Sequence, residues 1–317
     1  MAGLRPLNYL RAAPLRSPAQ NCKDGTALIL GAIHISERVT SLWVADVGGD
    51  DSRMLINRSS PISAELHNLG RLTALLTAEL EAARDVGAVN IEVTASRSLR
   101  GTRLLRLLDR VARASGAGGV QLPGSVASLA ADFLAVTRPR TTVLDGPVAV
   151  ARIGEGSTGV AVGAPGRPPE WVGSRPLGAA ALASRARFTD PPHPDQVEAA
   201  VNGAMRAVGS LALPAFSRLF LATPVWAMLQ RLCGPRIEAD AARRGVDSIL
   251  DQTADDIASW LGGEPWQARL LPATAVLTLA LADLTGASVE PCPADPVAGR
   301  VWLAGEHLLA SGARGTV

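Results

Sequence analysis

Short apolar runs alternate with longer amphipathic stretches in the first half of the chain, and this pattern predicts an α/β protein. Residues 27–35 are apolar over almost their whole length, as in a buried strand, and residues 40–47 form the expected hairpin partner. Residues 66–86 repeat leucine at spacings of three and four, which predicts an amphipathic helix. Further strands are predicted at 53–56, 90–93 and 120–122, and helices at 102–114 and 125–136.

The second half repeats this order. A strand at 148–153, a tight turn and a return strand at 157–162 are followed by a short third strand at 171–173. The run 273–282 is apolar but interrupted by threonines, which favours a buried helix over a membrane span. Helices are predicted at 179–187, 194–208, 225–232 and over most of 236–284, and strands at 219–222 and 301–304.

The two halves align as a duplicated unit. Residues 33–39 (IHISERV) align with residues 151–157 (ARIGEGS), and such self-similarity indicates an internal repeat. We expect domains at 26–142 and 143–317 with a ligand cleft between them. Residues 1–25 carry three prolines and lack the apolar centre of a secretory signal, so we predict a disordered tail.

Composition excludes several classes. Of the 317 residues, 31 are Lys or Arg and 29 are Asp or Glu, giving a net charge of +2, which does not suggest a nucleic-acid-coating protein. Lys23 is the single lysine, and this arginine excess is most simply a genome bias. Cys22, Cys233 and Cys292 are too far apart for a zinc motif and fit a reducing compartment as inert small hydrophobes.

The turn Gly154-Glu155-Gly156-Ser157-Thr158 is the clearest chemical motif. Its glycines permit positive φ angles and a close backbone approach, so that successive N–H groups can form an anion-binding nest. Ser157 and Thr158 add hydroxyl donors. An ordinary glycine hairpin is the alternative interpretation of this segment alone.

The chain resembles the exopolyphosphatase/guanosine pentaphosphate phosphohydrolase (Ppx/GppA) family over nearly its whole length from about residue 27 to 301. The segments that carry the resemblance occur in family order: 32–44, 94–111, 152–162, 175–178 (RPLG), 190–193 (DPPH), 222–233 and 290–301. The resemblance implies two duplicated actin-like domains (ribonuclease H-like, ASKHA) with a central cleft and a helical C-terminal part. It also implies hydrolysis of polyphosphate or pppGpp with the help of Mg²⁺.

The acidic residues of the family motifs are missing. His34 and Arg152 stand where the family has a metal-binding and a second hairpin aspartate, and Ser36, Glu37 and Arg38 replace its small polar loop. At the family's catalytic glutamate the chain reads PGSVAS from residue 123, with no acid before Asp132; 222–226 (ATPVW) and 297–299 (VAG) replace two further motifs. Phosphoryl transfer needs a base and cations, and Mg²⁺ prefers carboxylates.

Three hypotheses remain open. The chain is a catalytically impaired protein that binds phosphate, polyphosphate or a guanosine polyphosphate through Arg152 and residues 154–158, with His34, Ser36, Glu37 and Arg38 lining the cleft. Alternatively it is an active hydrolase, with Mg²⁺, that uses Glu37, Glu155 or Asp132. Or it is a structural partner of a complete relative. Arg152 either binds phosphate bidentately or pairs with Glu155 or Glu37.

Further expectations concern a basic helix, His34 and the partners of the protein. Arg97, Arg100, Arg103, Arg106 and Arg110 recur at spacings of three and four; this pattern is typical of a solvated helix face, and one wall of a polyanion channel is the alternative. His34 is expected to be a satisfied polar group, not a metal ligand. We expect a cytoplasmic protein that binds a polyanion, without a nucleic-acid or membrane partner, and a homodimer is an open alternative.

Overall fold

The computed structural model describes residues 28–36, 39–48, 53–62, 69–96 and 99–312, and the side chains as far as residue 309. The predicted tail of residues 1–25, Cys22, Glu37, Arg38 and Arg97 lie outside the described residues. The described chain forms two compact units. Each unit contains one five-stranded mixed sheet.

The first sheet confirms the predicted strand–helix alternation. The third strand, Arg53–Pro61, is longer than the predicted 53–56, because its antiparallel ladder with the second strand, Val39–Asp46, continues to Pro61. The elements are β1 (Ile29–Ile35), β2 (Val39–Asp46), β3 (Arg53–Pro61), α1 (Leu69–Asp85), β4 (Asn90–Ala95), α2 (Arg103–Ala114), β5 (Val120–Gln121) and α3 (Ser125–Thr137).

The second sheet follows after a short 3-10 helix, Arg138–Arg140. Its elements are β6 (Val148–Ile153), β7 (Thr158–Gly163), β8 (Trp171–Arg175), α4 (Ala179–Ala186), α5 (Pro194–Gly209), β9 (Leu219–Ala222), α6 (Trp226–Cys233), α7 (Ala239–Ser248), α8 (Ala254–Leu261), α9 (Pro265–Thr285), β10 (Val289–Cys292) and α10 (Pro296–Gly312). The predicted helical region 236–284 is confirmed. Strand β10 was not predicted, because its four residues (VEPC) include a proline and a glutamate and show little strand periodicity.

The two sheets have the same topology, which confirms the duplication. The first has the order β3-β2-β1-β4-β5 and the second β8-β7-β6-β9-β10. In each, the first two strands pair antiparallel and the first and fourth pair parallel. Two actin-like domains of this kind are the fold class expected from the sequence.

One face of each sheet carries the main core of its unit. In the first unit, α1 and α2 contribute Leu72, Leu76, Leu80 and Leu108, which are at most 1% exposed and pack on strand residues such as Ile33. In the second, α9 is the central helix, and its residues from Ala273 to Ala282 are buried among α4, α5, α7 and α8. This helix is long and apolar enough to cross a membrane, but 72% of its apolar window is buried, so it is a core helix as predicted.

The opposite face of each sheet is covered by a helix from a distant part of the chain. Helix α3 follows β5 of the first sheet, yet its Leu129, Phe133 and Val136 pack on Val148 and Val150 of the second. Helix α10 follows β10 of the second sheet, yet its Trp302 packs edge-to-face on Trp43 of the first, with ring centroids 5.1 Å apart. The chain therefore exchanges the last helix of each repeat.

This exchange corrects one prediction. Residues 301–304 lie inside α10 and do not form a strand; the run VWLA is too short for its periodicity to separate a strand from a buried helix. The compact units also differ from the predicted domains of 26–142 and 143–317. The second unit runs from Ser128 to Asp295, and the first contains the residues before and after it.

Helix α10 is also held to the first sheet by an ion pair. Arg300 is 6% exposed, and its Nη1 donates to Glu92 Oε1 on β4 at 3.0 Å. If α10 moved along the sheet, the guanidinium and the carboxylate would separate and leave an uncompensated charge on each side. The pair therefore helps to fix the position of α10.

We predict that Arg300→Met lowers the free energy of unfolding by about 1–3 kcal/mol, because Glu92 is then left partly buried without its partner. Denaturant unfolding measures the loss. Arg206→Met is the matched control, since Arg206 is exposed on α5, and should change stability by less than about 0.5 kcal/mol. Equal effects of the two substitutions would contradict the assignment of α10 to the first sheet.

The two described cysteines are buried or half-buried and free. Burial raises the pKa of the Cys233 thiol from 9.0 to about 11, and it raises the pKa of Cys292 by the same amount. This confirms the expectation of inert thiols, because the thiolate is the reactive form.

We predict that both thiols react with iodoacetamide at pH 8 roughly 100-fold more slowly than in the urea-unfolded chain, since a pKa raised by two units lowers the thiolate fraction by that factor. Alkylation of each cysteine is followed by mass spectrometry of its peptide. The protection should decline as pH rises from 9 to 11. Fast native alkylation of Cys292 at pH 8 would contradict the burial.

Candidate functional site

The first hairpin of each sheet ends in a turn of the same length and closure. Ile35 pairs with Thr40 and Ile153 with Thr158, so four residues separate the last paired residues in both hairpins. The N–H of Ser36 donates to the Val39 carbonyl at 2.9 Å, and the N–H of Gly154 donates to the Ser157 carbonyl at 3.0 Å. The sequence alignment of residues 33–39 with 151–157 is thereby confirmed.

The β6–β7 turn is fixed by the start of α4. The N–H groups of Ala179 and Ala181 donate to the carbonyls of Gly154 and Glu155 at 2.8 and 3.1 Å. A Cβ atom on Gly178 would overlap the Gly154 carbonyl oxygen, so only glycine permits this close approach. The first-turn donors of α4 are therefore used to hold the turn.

The detailed geometry of the turn differs from the predicted nest. Neither Gly154 nor Gly156 has a positive φ angle, because the turn is held by contacts with α4. The Thr158 hydroxyl is buried and donates to the Leu177 carbonyl at 2.7 Å, so it stabilises the fold. Glu155 and Gly156 are exposed, and Ser157 is half-buried. The accessible polar part of the motif is thus Glu155, Gly156 and Ser157.

Arg152 lies one residue before the end of β6 and is paired with α3. Its Nη1 donates to Asp132 Oδ2 at 2.8 Å, and the side chains are 37% and 4% exposed. Strand alternation places Arg152 on the same face as Val148 and Val150, which is the face that α3 covers. The sequence suggested Glu155 or Glu37 as the partner; the structure shows Asp132, which a spacing argument missed because the two residues belong to different elements.

His34 occupies the equivalent position in the first sheet. Its Nδ1 lies 2.9 Å from the Thr94 hydroxyl, which donates its proton to the Ile33 carbonyl at 3.2 Å, so the imidazole Nδ1–H is the donor to Thr94. Its Nε2 lies 3.4 Å from the Ser96 hydroxyl. His34 is therefore a satisfied polar group, as expected.

Ser36 also stabilises its own turn. Its hydroxyl contacts both the N–H and the carbonyl of Val39 at 2.9 Å. The remaining predicted residues of this turn, Glu37 and Arg38, lie outside the described residues. In the described part of this hairpin, His34 and Ser36 hold the local structure.

The residues present do not fit Mg²⁺. A hard divalent cation prefers carboxylate oxygens, but the two strand-end positions carry an imidazole and a guanidinium, and the nearby Asp132 carboxylate is paired with the guanidinium. Within the described ranges, no three His, Cys, Asp or Glu side chains are grouped so as to hold a metal ion.

The sequence signals for four neighbours of the site were weak. Asp132 is the single charged residue of α3, a sign of a buried partner. Thr94 acts through a hydroxyl contact with His34, and Gly178 through its close approach to the β6–β7 turn. Neither contact can be read from a pattern of residue types. Thr223 follows Ala222, which pairs with Arg152, and its buried hydroxyl has no partner among the described residues.

Comparison with solved structures identifies the fold. An Aquifex aeolicus PPX-GPPA enzyme matches 88% of this chain and 100% of its own, with a TM-score of 0.76 and 15% sequence identity. An exopolyphosphatase from Cytophaga hutchinsonii matches 88% of this chain and 98% of its own, with a TM-score of 0.68 and 14% identity.

Sequence comparison adds no relative: no protein-family model and no curated protein matches the chain. The structural likeness is thus far stronger than the sequence likeness. Over nearly nine-tenths of its length, the chain has the duplicated actin-like fold of the Ppx/GppA structures, at only 15% sequence identity to the Aquifex aeolicus enzyme.

Proposed function

We propose that the chain is a divergent Ppx/GppA-family protein that binds phosphate, polyphosphate or a guanosine polyphosphate at the β6–β7 turn without hydrolysing it. The fold supports the class of ligand, because matched structures include an exopolyphosphatase. The exposed Glu155 and Gly156, which follow Arg152 by three and four residues, support the β6–β7 turn as the place of binding.

The observation that carries the proposal is the Arg152–Asp132 pair. A hydrolase of this class needs a cation to neutralise the transferring phosphoryl group and a carboxylate to accept a proton from water. Here the guanidinium and the carboxylate neutralise each other at 2.8 Å. Asp132 is 4% exposed, so a water molecule could reach it only after the pair opens.

The same pair limits the strength of anion binding. Arg152 retains N–H donors beyond Nη1, and over a third of its side chain is exposed, so it can donate to a phosphate oxygen. However, Asp132 offsets the charge of Arg152. An anion that binds here would therefore contact a nearly neutral ion pair and the exposed backbone of the turn. We therefore infer weak binding that is sensitive to Asp132.

Two alternatives remain proposals of lower rank. An active hydrolase with Mg²⁺ would use Glu37, Glu155 or Asp132, but Asp132 is engaged with Arg152. A structural partner of a complete relative would dimerise through the helical C-terminal part. The cleft between the domains, the homodimer and the cytoplasmic location stay predictions.

We predict no phosphate release from polyphosphate or pppGpp in the presence of Mg²⁺ or Mn²⁺. Phosphate is measured with the wild-type protein and with Glu155→Gln, whose exposed side chain should not affect folding. Equal background in both agrees with the proposal. Turnover by the wild type that Glu155→Gln abolishes would establish the active alternative instead.

We predict opposite effects of the two partners on anion binding, measured by calorimetry with polyphosphate and with pppGpp. Arg152→Gln should weaken binding at least about tenfold, because it removes a charged donor worth about 1.5–3 kcal/mol. Asp132→Asn should strengthen it several-fold, because it frees the charge of Arg152.

The double substitution Arg152→Met with Asp132→Leu separates binding from folding. Replacing a buried pair with apolar residues of similar volume is often neutral for stability, so this variant should melt like the wild type and bind no anion. Binding that is unchanged in Arg152→Gln would exclude the proposed site. If the wild type binds neither anion, the structural alternative is favoured.

A further inference from the structure

Helix α2 carries an exposed row of three arginines, Arg103, Arg106 and Arg110, which we call the α2 arginine row. At 100° per residue the three side chains lie within about 60° around the helix. They line a shallow groove of about 570 Å³ together with Asp109. The opposite side of α2 is buried through Leu104, Leu108 and Ala112.

The one acid of this groove does not neutralise the row. Asp109 Oδ2 accepts from Arg113 Nε at 2.9 Å, and Asp109 Oδ1 accepts from the Val120 N–H at 2.8 Å. The hydrogen bond from Arg113 holds the pKa of Asp109 below its ordinary value. Within the part of the chain that the structure describes, no acid forms an ion pair with Arg103, Arg106 or Arg110.

The stability of α2 does not account for the row. Arg103 and Arg106 lie in the first turns of the helix, near the positive end of its dipole, and the first turn contains no acid. Like charges at spacings of three and four also repel each other. A bound anionic partner would relieve both effects.

We propose that the α2 arginine row is a docking surface for an acidic helix of a partner protein. The spacings of three and four place the arginines about 4.5 and 6 Å apart along the helix axis. A second helix with acids at the same spacings would meet them one to one. Half-buried Leu107 lies beside the row and offers an apolar contact to that helix.

A nucleic acid fits this surface less well. Single-stranded nucleic-acid sites use aromatic side chains for base stacking, and the residues that line the groove are three arginines and one aspartate. The groove therefore offers a nucleic-acid strand no aromatic side chain for stacking, whereas an acidic helix needs only the charges.

The test uses a fluorescent Ala-rich peptide of about 20 residues, long enough to form a helix, with glutamates on one face at spacings of three and four. Anisotropy at low salt measures its binding to the full-length protein. Arg103→Glu/Arg106→Glu/Arg110→Glu should weaken binding at least about tenfold, and added salt should abolish the difference. A peptide of equal composition, with the glutamates spread around the helix, should bind as weakly to the wild type.

A matched charge control is Arg167→Glu/Arg206→Glu/Arg243→Glu, which reverses three exposed arginines of the second unit and should leave peptide binding unchanged. The α2 variant should remain folded, because glutamates at positions 103 and 106 suit the first turns of a helix and position 110 is exposed. A lysine version of the peptide should bind the α2 variant and not the wild type.

Equal binding of the peptide to both triple variants would overturn the proposal. So would binding of polyphosphate or a single-stranded oligonucleotide through the row without binding of the peptide, since the surface would then serve a phosphate polymer. These outcomes are independent of anion binding at Arg152, because the α2 substitutions leave the β6–β7 turn unchanged.

Discussion

Each of the two sheets has two faces that must be kept from water, and the helices of its own repeat cover only one of them. The second face of each is covered by the helix that ends the other repeat: α3 on the second sheet and α10 on the first. This requirement places charged residues at defined positions. Asp132 enters the second unit on α3, and Arg300 enters the first on α10, and each is partly or fully buried against a charge from the sheet that it covers.

The duplication gives the same local position two different chemistries. His34 and Arg152 both precede the last residue of the first strand of their sheets, and both lie opposite a parallel strand, at Thr94 and Ala222. His34 is satisfied by two hydroxyl groups, whereas Arg152 takes a buried carboxylate. Both residues form closed polar contacts, so each strand end is held by side-chain hydrogen bonds within its own unit.

Much of the fold could be predicted from the sequence, because hydrophobic periodicity depends on local burial. The leucine spacing of α1 and the apolar run of β1 record which side faces the core. The turn at residues 154–156 was also identified from its glycines, although the return strand begins at Thr158, one residue later than predicted. The sequence could not show which elements contact each other. It therefore missed the pairing of Arg152 with Asp132, the close approach at Gly178 and the helical state of residues 301–304. Each depends on a tertiary neighbour that no local pattern identifies.

The exchange of α3 and α10 also makes the two units unequal as segments of a chain. The second unit is continuous from Ser128 to Asp295, whereas the first is assembled from residues on both sides of it. In effect the second unit is inserted into the first. During synthesis, the first sheet leaves the ribosome long before the helix that covers its Trp43 face. That apolar face therefore remains without its covering helix, either exposed or bound by another molecule, while about 170 further residues are synthesised at about 5–20 residues per second.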